Sequence, residues 1–184
     1  MGLTQDGRMD AFETLVKRYE SPLFNYIRRM LGGAADAQDV FQETFLRVYI
    51  HRERFRVTAR FRPWVYRIAT NLCRDQLRKR RRRSEVSLEQ PISQEDAARE
   101  LGDTMENPTP NPRECAIAAE TAERLEAALA RLPERHRAVF LMARYEGMAY
   151  GEIAGVLRVP VGTVKSRMNK AVTVLMDEMQ RAAP

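Results

Sequence analysis

Apolar side chains near the N-terminus recur at intervals of three and four residues, a spacing that places them on one face of an α-helix. The stripe covers residues 12–31 and consists of Phe12, Leu15, Val16, Tyr19, Leu23, Tyr26, Ile27, Met30 and Leu31. Pro22 has no amide proton and falls inside this stripe, so we expect a kink or a break into two helices near Ser21. Gly32 and Gly33 then predict the end of the helix, because glycine readily adopts the left-handed conformation found there.

Two more helices are predicted in the N-terminal half. Asp36 is placed to cap the first of them, and Asp39 lies in its first turn, where the helix dipole favours an anion. The inner stripe of this helix is predicted to be Val40, Phe41, Thr44, Phe45, Val48 and Tyr49, and Asp39 shares the outer face with Asp36, Gln42, Glu43 and Arg47. Residues 51–60 have no clear period and are expected to form a basic loop. The third helix is predicted from Phe61 and leads into six consecutive basic residues at 78–83. Its apolar residues are Trp64, Val65, Ile68, Ala69, Leu72, Cys73 and Leu77.

The third helix combines basic and aromatic side chains in a way that favours nucleic acid. Its exposed basic residues are expected to be Arg60, Arg62, Arg67 and Arg74, interleaved with Phe55, Phe61, Trp64 and Tyr66. Arginine neutralises phosphate and flat rings stack on unpaired bases. Asn71 and Asp75 lie four residues apart on the same face, where they either read base edges or are ordinary surface residues. Whether Phe61 or Trp64 belongs to the core is open. The basic run 78–83 is better explained by nucleic-acid phosphate than by its alternative, a solvated helix end.

The C-terminal residues predict a helix-turn-helix. A helix is expected to end before Pro133, a second to close at Gly147, and a short third to precede a tight turn at residues 159–162. Thr163 caps or begins the last helix, whose inner stripe is Val164, Met168, Ala171, Val172 and Leu175. Its first two turns leave Lys165, Ser166, Arg167, Asn169 and Lys170 mostly outward. Such donors at the start of a second helix suit readout of the DNA major groove, although a plain helical hairpin has the same spacing.

Charge divides the chain into three parts. Residues 1–83 hold 19 Lys and Arg against 9 Asp and Glu, residues 84–118 hold 2 against 8, and residues 119–184 hold 10 against 8. The acidic middle also carries several prolines and few apolar residues, so it buries little surface to offset its ordering entropy. The chain is therefore predicted to be all-α, with two small helical domains at 8–83 and 119–181 joined by a flexible acidic linker at 84–118.

Composition excludes several classes of protein. No apolar stretch of this 184-residue chain is long enough to span a membrane, and residues 1–10 lack the apolar region of a signal peptide. Cys73 and Cys115 are too few for a disulfide framework and have no metal-ligand spacing. His51 and His136 are each expected at the surface, neither cysteine lies in the sequence context of a nucleophile, and no phosphate-binding glycine loop is present. We therefore expect no catalytic residue, no metal and no cofactor, and a place in the cytoplasm.

Three segments together resemble the extracytoplasmic-function (ECF) group of the bacterial sigma-70 family. DAQDVFQETFLRVY is similar to the polymerase-binding helix of the sigma-2 domain, and FRPWVYRIATNLCRDQLRKRRRR to the −10 promoter segment of that domain. LPERHRAVFLMARYEGMAYGEIAGVLRVPVGTVKSRMNKA is similar to the sigma-4 domain. The likeness covers residues 10–83 and 120–178, nearly everything outside the acidic linker.

The resemblance implies a role for each exposed set. Asp36, Asp39, Gln42 and Glu43 would face the β′ clamp helices of core RNA polymerase, although a solvated helix face is the commoner place for such acids. The −10 element would be held by Arg60, Phe61, Trp64, Arg67, Asn71, Arg74, Asp75 and Arg78, and the basic run 78–83 would hold nearby backbone phosphate. The −35 element would be contacted by Thr163, Lys165, Ser166, Arg167, Asn169 and Lys170.

The same resemblance implies partners and leaves one point of difference. Core polymerase, promoter DNA and an anti-sigma factor are the expected partners, with no membrane insertion and with nucleoid association through the polymerase. Many members have an aromatic residue or His followed by Arg where this chain has Asn169 and Lys170, which bears on the −35 sequence preference. An autonomous helix-turn-helix regulator is the competing function, but it would leave the acidic stripe and the aromatic-basic helix of the N-terminal half without a role.

Overall fold

The architecture comes from a computed structural model that describes residue 1 and residues 8–56, 58–87 and 112–181. These residues form seven α-helices and one short 3-10 turn at Arg52–Arg54, without a strand. The helices are α1 (Met9–Leu31), α2 (Ala37–Ile50), α3 (Phe61–Ser87), α4 (Pro112–Arg131), α5 (Glu134–Arg144), α6 (Tyr150–Leu157) and α7 (Val161–Arg181). The prediction of an all-α fold is confirmed. None of the described helices is long and apolar enough to cross a membrane.

Helix α1 continues through Pro22, so the break into two helices that was one of the two expectations near Ser21 is wrong, while the kink stays a prediction. Proline inside a helix costs about 3 kcal/mol, because it removes a hydrogen bond and crowds the preceding turn. Leu23, Tyr26 and Ile27 directly follow it and are almost completely buried. Burial of each large apolar side chain contributes about 2 kcal/mol, and together these outweigh the cost of the proline.

Glycine ends α1 as predicted. Gly32 has φ of +71° and its amide donates to the carbonyl of Arg28. Asp36 occupies the N-cap position of α2, but its side chain makes no capping hydrogen bond. The Asp36 carboxylate instead pairs with Arg80 of α3 at 2.6 Å.

Helices α1, α2 and α3 pack against one another and form an N-terminal unit. The inner side of α3 is as predicted, with Val65, Ala69, Leu72 and Cys73 all buried. The hydroxyl of Tyr26 on α1 lies 2.8 Å from Oγ1 of Thr70 on α3, which satisfies both buried groups.

Helices α4 to α7 form a C-terminal unit around α7, which contacts the other three. The inner stripe predicted for α7 is buried or half-buried throughout.

His136 is also buried, so the surface position expected for it is wrong. It lies in the first turn of α5, and burial together with the charges of Arg135, Lys170 and Arg167 lowers its pKa.

The two units are in contact and share a continuous apolar core, with α3 against α6 and α1 against α4 and α5. Residues 84–87 of the predicted linker belong to α3 and residues 112–118 to α4. The centre of that linker, residues 88–111, lies outside the described residues, and the domain boundaries stay predictions.

Candidate nucleic-acid interface

The outer face of α2 carries the acidic and amide side chains predicted to meet a protein partner. Asp39 and Gln42 are exposed, one turn apart. Glu43 is half-buried and accepts from Arg47 one turn later, at 2.7 Å. Asp36 differs from the others, because hydrogen bonding to Gln76 and then to Arg80 holds the pKa of its carboxyl below its ordinary value. Asp39 and Gln42 are thus the members of this set that are most open to a partner.

Two apolar residues on the same helix are also exposed and were missed by the sequence reasoning. Leu46 is 52% and Ile50 58% exposed. They follow Asp39 and Gln42 at intervals of three and four residues, so the four side chains form one line along α2. The signal was present in the sequence, because neither residue falls on the inner stripe of the helix. An exposed apolar pair beside polar groups is typical of a protein-protein contact.

An open groove of about 480 Å³ lies between α2 and α3. Asp39 and Glu43 line one side, and Asp75, Arg78 and Lys79 line the other. The groove therefore brings the predicted polymerase face next to part of the predicted −10 face, on adjacent surfaces of one unit.

The exposed face of α3 includes the polar pair chosen from sequence. Asn71 and Asp75 are both exposed, and Asp75 lies 3.8 Å from Arg78. Arg67 is half-buried. Arg74 is half-buried too, and its buried Nε has no hydrogen-bond partner among the described residues. The face thus offers an amide, a carboxylate and several cationic donors along about three helical turns.

The aromatic residues beside this face pack mainly on one another. The rings of Phe55 and Trp64 are 5.0 Å apart, those of Phe61 and Trp64 5.9 Å, and those of Tyr19 and Phe61 5.1 Å. Phe61 and Trp64 are half-buried, whereas Phe55 is buried. The cluster anchors the loop before α3 to the helix and leaves only part of the Phe61 and Trp64 rings accessible.

Tyr66 does not belong to the exposed aromatic set with which the sequence grouped it. It is completely buried, its ring packs 5.1 Å from that of Tyr26, and its hydroxyl donates to Glu146 of the C-terminal unit. Burial and the neighbouring Glu146 raise the pKa of the Tyr66 hydroxyl. Tyr66 is therefore unavailable to stack on a base in this arrangement.

The basic run at the end of α3 is mostly exposed, but Arg80 has internal partners. Besides pairing with Asp36, it donates to the carbonyl of Leu31 at 3.0 Å. Its neighbours in the run, including Lys79, Arg82 and Arg83, are exposed. The run thus combines one helix-joining arginine with a cationic surface.

The helix-turn-helix is formed by α6 and α7. Arg158, with φ of +54°, ends α6, and α7 begins at Val161. Val161 and Gly162 therefore belong to the helix and not to the tight turn predicted for them, and Thr163 lies inside it. Lys165, Ser166, Asn169 and Lys170 are exposed, while Thr163 and Arg167 are half-buried. The exposed donors cluster in the first half of α7, as predicted.

The described part of the chain also contains possible metal ligands and one cysteine thiol. Among the described residues, no three His, Cys, Asp or Glu side chains converge as a metal site requires. Cys73 is buried, and burial raises the pKa of its thiol to about 12, which keeps it protonated. The side chain of Cys115 lies outside the described part of the chain.

Comparison with known proteins identifies both units. The family model for sigma-70 region 2 matches residues 15–83, and that for sigma-70 region 4 matches residues 122–175. The RNA polymerase sigma-H factor of Pseudomonas aeruginosa is 34% identical over 167 residues, which cover 91% of this chain and 85% of that protein. The ECF RNA polymerase sigma factor SigW of Bacillus subtilis is 28% identical over 174 residues, covering 95% and 91%.

A solved structure has a similar fold. It is the sigma factor RpoE of Bartonella quintana in complex with the anti-sigma factor NepR. The TM-score is 0.72 at 18% identity, and the match covers 94% of this chain and 99% of that one.

Proposed function

The chain belongs to the extracytoplasmic-function group of the sigma-70 family and is an RNA polymerase sigma factor, and we propose that it binds core polymerase through α2 and promoter DNA through α3 and α7. The proposal rests on one observation. Three sets of polar side chains, on α2, α3 and α7, remain exposed while the opposite face of each helix is buried. Each set has the chemistry that its proposed partner requires.

On α2 the proposed contact is with the β′ clamp helices of the polymerase. Asp39 and Gln42 supply polar specificity, and Leu46 and Ile50 supply apolar area next to them. An apolar centre with a polar margin is the usual composition of a protein interface. Glu43 and Asp36 act mainly within the chain, through Arg47 and Arg80.

On α3 the proposed ligand is the unpaired non-template strand of the −10 element. Removing a base from the duplex stack costs a few kcal/mol, which stacking and hydrogen bonds to the extruded base offset. Asn71 and Asp75 present an amide and a carboxylate to base edges, and Arg67, Arg74 and Arg78 present charge to the backbone. Arg60, Phe61 and Trp64 form the adjoining wall at the start of the helix.

On α7 the proposed ligand is the −35 element in duplex form. Lys165, Ser166, Asn169 and Lys170 are exposed at the half of the helix that enters the major groove. Asn is suited to adenine, so Asn169 sets part of the sequence preference, while the ammonium of Lys170 supplies charge to the DNA backbone. Thr163 and Arg167 are assigned to backbone phosphate.

The family also excludes catalysis and suggests further partners. A sigma factor is a transcription initiation factor and not an enzyme. The RpoE structure of similar fold contains an anti-sigma factor, and we extend the proposal to an anti-sigma partner for this chain. We place its action in the cytoplasm, on the nucleoid, because that is where RNA polymerase works.

Transcription with purified components tests the function directly. The chain is mixed with core polymerase and a library of genomic promoter fragments, and the RNA ends are mapped. We expect discrete start sites that require both the chain and the core enzyme. A chain that binds duplex fragments tightly alone, yet adds no start site to those of core enzyme, would instead be an autonomous helix-turn-helix regulator.

A further inference from the structure

The helix-turn-helix contains an arginine with a strained backbone. Arg158 ends α6 with φ of +54° and ψ of +49°, in the left-handed region. It is the only residue other than glycine that has a positive φ in the described part of the chain. A side chain in this region crowds its own backbone, and this costs folding free energy that glycine does not lose.

The same backbone motif is made with glycine at the end of α1. There the amides of Gly32 and Gly33 both donate to the carbonyl of Arg28, and Gly32 has φ of +71°. At the end of α6 the amides of Arg158 and Val159 both donate to the carbonyl of Ala154. Glycine would therefore form the turn at position 158 with less strain. The backbone accounts for the turn but not for the arginine side chain.

The side chain of Arg158 has no internal role in the described part of the chain. It is exposed, and it makes no hydrogen bond, ion pair or ring contact with the described residues. Arg158 lies three residues before Val161, the first residue of α7, so its Cα is within about 11 Å of the start of that helix. An unpaired guanidinium therefore lies beside the half of α7 that carries the proposed −35 donors.

Val161 is a second unexplained feature of the same turn. It is apolar, yet 42% of it is exposed. It precedes Lys165 and Asn169 at intervals of four residues, so the three side chains lie in one line along α7. The space beside it is open, because a Cβ placed on Gly162 would meet no atom within 4 Å. In the major groove, the apolar group that such a side chain recognises is the methyl group of thymine.

We propose that the −35 surface begins before α7, with Arg158 bound to a backbone phosphate and Val161 packed on the methyl group of a thymine. The inference rests on the proposed function, because it extends the DNA face of α7 into the preceding turn. A charge-assisted bond to phosphate gives the Arg158 side chain a partner in the complex, and it offsets there the strain that the free protein carries.

Two opposite effects of one substitution test the role of Arg158. Arg158→Gly removes both the strain and the charge. We expect its thermal midpoint to rise by about 2–4 °C. Its affinity for a −35 duplex, taken from a start site mapped with the holoenzyme, should fall, and the slope of log K against log salt should decrease by about 1.

Two variants control for charge. Arg158→Lys keeps the cation at the same place and should keep the salt slope of the parent. Arg181→Ala removes a cation at the far end of α7 and should also keep it. An Arg158→Gly protein with the salt slope of the parent would overturn the phosphate contact, and one with an unchanged thermal midpoint would overturn the strain.

Uracil tests Val161, because uracil is thymine without the methyl group. Each thymine of the −35 duplex is replaced in turn by uracil, and each duplex is titrated with the parent and with Val161→Ala. We expect one position at which uracil weakens binding by the parent about threefold and leaves binding by Val161→Ala unchanged. Met176→Ala, which truncates another exposed apolar residue of α7, should respond to uracil as the parent does.

The outcomes separate this inference from the proposed function. If no thymine distinguishes the parent from Val161→Ala, the methyl contact is wrong, although α7 still binds the −35 element. A parent protein that binds the −35 duplex no better than an unrelated duplex at the same salt concentration would contradict the proposed role of α7 itself.

Discussion

The carboxylate of Asp36 and the guanidinium of Arg80 lie 2.6 Å apart and join the start of α2 to the basic end of α3. Arg80 also reaches the carbonyl of Leu31, the last residue of α1. One side chain therefore connects all three helices of the N-terminal unit. This gives Asp36 and Arg80 a structural role, although the sequence resemblance assigns the first to polymerase and the run containing the second to DNA phosphate.

Replacing Asp36 by Asn should lower the free energy of unfolding by about 1 kcal/mol at pH 7, because a half-buried ion pair and its hydrogen bonds are lost. The pKa of Asp36 is lowered in the folded protein. The contribution of its charge is therefore present above the unfolded pKa of about 3.9 and is lost as the pH falls through the folded value. Urea unfolding at pH 7 and at about pH 3 measures both effects.

The Asp39→Asn protein is the control, since Asp39 is exposed on the same helix. It should unfold within about 0.5 kcal/mol of the parent at pH 7. If the two substitutions have equal effects, or if the Asp36→Asn deficit persists undiminished at low pH, the structural role of the ion pair is wrong.

The proposed polymerase face predicts a loss of core affinity on charge reversal. The double variant Asp39→Lys with Gln42→Lys should weaken binding to core polymerase at least about tenfold. Two new positive charges would face a polymerase surface that binds the negative charge of Asp39 in the parent. Leu46→Ala should also weaken binding to core polymerase, because it removes exposed apolar area from the same face. Fluorescence titration of labelled chain with core enzyme gives these affinities.

A matched pair on another helix controls for net charge. Asp177 and Gln180 have the same residue types and spacing as Asp39 and Gln42, and both are exposed on α7. Asp177→Lys with Gln180→Lys should leave core affinity unchanged. Equal losses in the two double variants would mean that charge alone, and not the α2 face, decides the binding.

The spacing of apolar residues predicted the helices well. Each helix buries one face, and the residues of that face lie only three or four positions apart in the sequence. Val65, Ala69, Leu72 and Cys73 were assigned correctly to the core on this basis. The errors arose where a distant segment decides the outcome. Tyr66 is polar-tipped and lies beside arginines, and its burial depends on distant segments, since its ring packs on Tyr26 and its hydroxyl donates to Glu146, eighty residues later. His136 was misplaced for a related reason, since its burial depends on how α5 packs and not on its own neighbours in sequence.

The sequence predicted which residues of the candidate site are exposed, but not which ion pairs and hydrogen bonds they form. Asn71, Asp75, Asn169 and Lys170 are exposed as expected, because they lie opposite the apolar stripes. The pairing of Arg60 with Glu152 has no local signal, as each residue alone is an ordinary surface charge. Leu46 and Ile50 did have a signal, namely two apolar residues out of phase with the inner stripe of α2.

The proposed −10 face predicts a defect in strand separation. Asn71→Ala should reduce promoter opening at least about fivefold, because a hydrogen bond or stacking contact to an extruded base is worth about 1–3 kcal/mol. Core affinity should stay unchanged, since Asn71 lies on α3 and not on the proposed polymerase face. Permanganate reactivity of unpaired thymines in the holoenzyme-promoter complex reports the opening. Gln180→Ala, an exposed amide on α7, is the control, and equal opening by both variants would remove Asn71 from the −10 face.

The exposed donors of α7 predict two separable effects on duplex binding. Lys170→Ala should lower affinity for −35 duplex and reduce the slope of log K against log salt by about 1 if the ammonium contacts phosphate. Asn169→Ala should leave that slope unchanged but relax discrimination at one base pair by about 1–3 kcal/mol, as expected for a lost contact to a base edge. Anisotropy titrations at several salt concentrations, with matched and single-mismatch duplexes, separate the change in slope from the change in discrimination.

Arg181→Ala, at the far end of α7, is the control and should change neither the salt slope nor the base-pair discrimination. A slope that falls as much for Arg181→Ala as for Lys170→Ala would show that the lysine acts only through net charge.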